Sequence, residues 1–233
     1  MRKFEIKVTG ETDLIMHNGR LANPMDPSTK ELGAAHKEYQ KNKTDENFYG
    51  LARAEFMGGL YYVKHVGPVW PTDNLHTALK KAGAKVKRGR GSLKNPVAAA
   101  VLWDATDSPL SYAGFGSAAA PREADQLWEN ENYRFMKSAR GGSAKVQRTR
   151  PIFKSWRFEV AGTLDTEILD LADLEAVAKI AGQLIGLGHQ LGVLDFQGIA
   201  IGPRLQDRAL VVEPLPIGVG DVRLARDNRL GPA

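Results

Sequence analysis

The chain has 233 residues, 42% of them apolar, enough to bury the core of one domain carrying insertions. It has no cysteine, which excludes disulfides and thiolate metal centres, and its five histidines, His17, His36, His65, His76 and His189, show no metal-motif spacing, so neither metal nor cofactor is expected. Net charge is +5, and the absence of an apolar leader or a bilayer-length run predicts a cytoplasmic protein with no membrane partner.

Residues 3–9 alternate, with Phe4, Ile6 and Val8 on one side, and predict a half-buried strand. Positions 17–55 lose that pattern under Pro24, Pro27 and Gly33 and read as an inserted subdomain with one or two short helices. Residues 56–66, aromatic and β-branched around Gly58 and Gly59, have the composition of two strands joined by a tight turn. Thr72 is the expected N-cap of a short helix bearing Leu75 and Leu79 and stopped by Gly83, with a basic loop after it. The apolar run 96–103 suggests a buried strand. Positions 104–146 are rich in small residues and read as a second, flexible insertion.

Residues 150–162 alternate again and predict one strand. The clearest helix follows, with Leu171, Leu174, Val177, Ala178, Ala181, Leu184 and Ile185 three and four apart and acids at its start. Two strands around a glycine-rich turn come next, and residues 214–233 read as a tail. The order predicts an α+β fold over 1–213: a ferredoxin-like or RRM-like antiparallel sheet with helices on one face and large insertions.

Charge is unevenly placed. Residues 74–103 hold seven cations and no acid: Lys80, Lys81, Lys85, Lys87, Arg88, Arg90 and Lys94. Residues 132–158 are again without an acid, and seven cations stand out in them: Lys137, Arg140, Lys145, Arg148, Arg150, Lys154 and Arg157. Removing these 14 from the 32 Lys and Arg leaves 18 against 27 Asp and Glu, net −9, so the chain is polarised as for a polyanionic partner. Asn74 and the cations Lys80, Lys81, Lys85, Lys87, Arg88, Arg90, Arg148, Arg150, Lys154 and Arg157 are the candidate phosphate contacts. If 150–162 is one strand, alternation puts Lys154 and Trp156 on one face and Phe153 and Arg157 on the other, so that one aromatic stacks on a base while the other packs inward; core burial is the expectation for Trp156. Tyr61 and Tyr62 carry the same two readings.

The run Pro71, Thr72, Asp73, Asn74, Leu75, Ala78, Leu79, Lys80 resembles the opening of the first helix in the repeat-associated (RAMP) RNA-binding superfamily, known from backbone subunits of CRISPR effector complexes. Gly186, Gly188 and Gly192 are similar to that family's C-terminal glycine-rich loop, although Asp195 stands where a more basic loop is usual. The resemblance implies non-catalytic binding of single-stranded nucleic acid, RNA more than DNA, with residues 17–55 as a thumb reaching the next subunit of an assembly. A small phage-encoded relative fits the chain length. Two alternatives stand beside it. Some relatives cleave RNA with a thumb aspartate, for which Asp13, Asp26 and Asp45 are candidates, although turn or capping roles are the plainer reading. A structural or virion assembly protein would also carry basic loops. There is no P-loop and no GxSxG elbow.

Overall fold

The computed structural model describes residues 1–115, 119–141, 144–187 and 194–199. All belong to one compact unit, Met1–Pro203. The second part of the predicted strand pair after the glycine turn and the tail at 214–233 lie outside the described residues.

Four strands form the central sheet: β1 (Arg2–Gly10) at its centre, with β7 (Val101–Trp103), β11 (Arg157–Leu164) and β12 (Leu194–Ile199). Their order is β12-β1-β11-β7 and every pairing is antiparallel. Helix α3 (Thr72–Gly83) connects β1 to β7 and helix α6 (Leu171–Ile180) connects β11 to β12, which is the predicted ferredoxin-like double βαβ plan. The period of two carries the architecture. Phe4, Ile6 and Val8 face Gly162, Val160 and Phe158 across the β1–β11 ladder, and all six residues are buried. Over that face lie Leu75, Ala78, Leu79 and Ala82 of α3 and Leu174, Val177 and Ala178 of α6. The opposite face presents Lys3, Glu5, Lys7 and Thr9 beside Thr163, Ala161, Glu159 and Arg157, with exposed Leu102 at the β7 edge.

The first insertion is larger and more helical than expected. A 3-10 turn, Gly19–Ala22, leads into α1 (Pro27–Lys41) and α2 (Asp45–Gly59), each of 15 residues. Asp26 caps α1 by accepting from the Ser28 N–H at 2.8 Å, and Pro27 at the first helical position needs no donor. The expected hairpin at 56–66 is displaced. Phe56–Gly59 is the last turn of α2, where Gly58 and Gly59 let the 16–21 segment approach: a Cβ at Gly58 would stand 2.6 Å from Leu21 Cδ2. The hairpin, β3 (Tyr62–Val63) with β4 (Gly67–Pro71), follows it, turning through His65 at φ 68 and Gly67 at φ 96.

The 96–103 run divides. Its alanines, good helix formers, belong to α4 (Lys94–Ala100), with Pro96 tolerated in the first turn, and only Val101–Trp103 joins the sheet. After β5 (Lys87–Arg88) and β6 (Gly91–Ser92), a small hairpin ahead of α4, the remaining elements fill the second insertion: β8 (Asp107–Pro109), α5 (Ala124–Glu129) and β9 (Arg134–Gly141). That segment packs more than its composition suggested, since Leu110, Tyr112, Leu127, Trp128 and Tyr133 are buried. The expected strand at 150–162 is two. β10 (Ala144–Phe153) pairs with β9 and with β2 (Leu14–Ile15), and Ser155 at φ 46 turns the chain into β11.

Candidate nucleic-acid interface

Helix α3 buries one stripe in the core and leaves two flanks. Along one of them Asn74, Thr77, Ala78 and Lys81 line a cleft of about 320 Å3. Its other walls are Ile15 and His17, Tyr61 and Trp70, and the segment Ile185, Gly186, Leu187. The last wall is shaped locally: α6 runs into one π-helical turn, Ala181–Ile185, and Gly186 breaks it at φ 68, a conformation that favours glycine. The α3 segment and Gly186, more than a hundred positions apart in the chain, therefore share one groove. Gly188 and Gly192 lie outside the described residues.

The first basic segment surrounds this groove unevenly. Lys81 lines it, whereas Lys80 faces the other flank, close enough to His76 for its charge to act on that ring. Lys85, Lys87 and Arg90 are exposed after the helix. Arg88 is committed elsewhere, pairing with Asp173 at 3.0 Å and Asp170 at 3.6 Å at the start of α6.

Most of the second basic segment lies on the paired strands β9 and β10, whose root meets the groove through Ile152 and its partner Ile15. Lys137 stands directly opposite Arg148 in the ladder, a like-charge pairing that needs a counter-charge. Glu55 of α2 supplies it. This buried carboxylate accepts from the Arg148 guanidinium and, at 2.8 Å, from the Thr149 N–H, so Arg148 is held in an ion pair while its side chain stays 42% exposed. Arg150 is half-buried, Lys154 is exposed over the Phe115 ring at 5.9 Å, and Arg157 lies exposed on the open face of the sheet.

The expected core burial of Trp156 is borne out, while the reading in which one of the two aromatics stacks on a base is overturned. The turn at Ser155 breaks the alternation, and Phe153 and Trp156 are both buried, Trp156 donating its indole N–H to the Thr12 carbonyl at 2.8 Å. Neither faces a base. Among the described residues the open sheet face carries no aromatic ring, unlike a sheet that stacks bases. Tyr62 is tied to Glu123 at 2.6 Å, while Tyr61 lines the groove and donates to the His17 carbonyl at 3.3 Å. Sequence reasoning missed His17, Thr77, Ile185 and Leu187, which carry no motif and meet only in three dimensions.

No family model matches the chain, and no curated protein matches it.

Asp26 serves as the α1 cap, Asp45 stands in the first turn of α2 and Asp13 is exposed. Among the described residues no three His, Asp or Glu converge as a metal-holding group, and no helix is long and apolar enough to cross a membrane. What the groove offers chemically is an amide and an ammonium on a helix flank, facing the turn at Gly186.

Proposed function

We propose that this protein binds single-stranded nucleic acid by its phosphate backbone, largely without regard to sequence and without catalysis, as a repeating subunit of a larger assembly. The preference for RNA and the kinship with the repeat-associated superfamily rest on the resemblance of the α3 segment and the glycine turn. The observation that carries the reading is the groove itself, where Asn74 and Lys81 oppose Gly186 and lie next to two acid-free basic segments. Phosphates need cations and hydrogen-bond donors along a track, with little demand on base identity. The lack of stacking rings on the open sheet face among the described residues favours backbone contact over base stacking.

The test is titration of the full chain with labelled oligouridylate over a range of salt. Expected is an affinity that falls linearly in the logarithm of salt concentration and drops further in Lys81→Glu. Binding that is absent, or indifferent to salt, sinks the proposal.

A further inference from the structure

The other flank of α3 borders a second cleft, of about 370 Å3, lined by Thr72, Asp73 and His76 of the helix, Ala98, the β7 residues Val101, Leu102 and Trp103, and the loop Asp104, Ala105, Thr106. Its size falls among small-ligand pockets. Three features give it polar character. The Trp103 indole N–H donates to His76 Nδ1 at 3.1 Å, which leaves the histidine proton on Nε2 and makes that nitrogen a donor. Thr72 is 2% exposed, and its hydroxyl has no hydrogen-bond partner among the described residues, which at a buried site points to a group still to be supplied. Asp73, exposed beside them, contributes a carboxylate acceptor.

Charge around the cleft is balanced. Lys3 holds both Asp104 oxygens, at 2.8 and 3.0 Å, and the opposing charges of Lys80 and Asp73 both act on His76. A phosphate or an isolated ammonium gains little there, whereas a neutral ligand with a donor beside an acceptor gains from both.

We propose that this second cleft binds a neutral nucleobase with an exocyclic amino group, the amino group donating to Asp73 and a ring nitrogen accepting from His76 or Thr72, with the half-buried Trp103 as the apolar wall. A base carrying a carbonyl in place of the amino group sets an oxygen against the Asp73 carboxylate and is disfavoured. The site is independent of the backbone groove on the opposite flank. The base comes either from a free nucleoside or from a strand held by the protein, and the chemistry is common to both.

The experiment is calorimetric titration of the full chain at neutral pH with adenosine, cytidine and uridine, and in a second arm with oligoadenylate and oligouridylate. Expected is a preference of about tenfold or more for the amino-bearing bases, abolished by Asp73→Asn and weakened by Thr72→Val. Asp73 is exposed, so its substitution leaves folding intact. Preference already seen with nucleosides identifies a free ligand; preference confined to oligonucleotides identifies a base of the strand. Lys81→Glu separates the two clefts, because it weakens salt-dependent oligonucleotide binding while the nucleoside preference stays. Equal binding of all probes, no saturable binding in either arm, or a preference that survives Asp73→Asn overturns the proposal.

Discussion

Glu55 is 7% exposed and satisfied by Arg148 and the Thr149 N–H, an arrangement that joins α2 to the root of the basic hairpin. Replacing Glu55 by Ala leaves a guanidinium beside Lys137 without its counter-charge and a backbone donor without its acceptor. Because Arg148 is itself partly in water, the expected loss is about 1–3 kcal/mol, read as a lower midpoint in urea unfolding. His76 makes a pH prediction. Burial, with the Lys80 charge behind it, holds its pKa below the ordinary value, and an imidazolium has no lone pair on Nδ1 to accept from Trp103. With a folded pKa below the unfolded value of about 6.5, the stabilisation is full above that pH and is lost as pH falls through the folded pKa. Thermal unfolding followed between neutral and mildly acidic pH is expected to weaken on acidification, and His76→Gln is expected to flatten that dependence.

At the scale of elements, Gly162 is the position that joins three strands. It lies in the row Phe4, Gly162, Trp103, and a Cβ there would stand 2.6 Å from the Leu102 carbonyl and 2.7 Å from Phe4 Cζ. Gly162→Ala therefore forces β7 away from the sheet, with an expected cost of about 1–3 kcal/mol and faster hydrogen exchange at Val101–Trp103. Elements with a strong period were legible in advance: β1 and α6 because one face is buried along their whole length, α3 because Leu75, Leu79 and Gly83 mark its face and end. Misread elements share a physical cause. Gly58 and Gly59 suggest a turn, yet tertiary contact with Leu21 uses them as the flat face of a helix; the alanines before β7 suit either state, and packing of Val97 and Ala100 decides for helix. Ser155 carries no signal of the positive φ that cuts one predicted strand into two.

For the whole molecule, polarised charge is the property that bears on a partner. If the first basic segment contacts phosphates, Lys81→Glu and a variant with Lys85, Lys87 and Arg90 replaced by Ala are each expected to lower the slope of log affinity against log salt. The shallower slope is the measured sign that phosphate contacts were lost. The same substitution of Arg88 acts differently, releasing β5 from Asp170 and Asp173, and is expected to alter stability more than the salt slope.

By itself the sequence determined the α+β class, the helix-covered sheet, the two insertions and the segregation of cations, because hydrophobic period and charge are local properties written along the chain. Which cations are free was decided only by the tertiary structure. Arg148 and Arg88 are spent on acids 93 and more than 80 positions away, and Lys80 and Lys81 part to opposite flanks of one helix. The groove likewise exists only because the βαβ halves bring Asn74 and Lys81 beside Gly186 and His17, a proximity set by sheet order and not by any spacing in the chain.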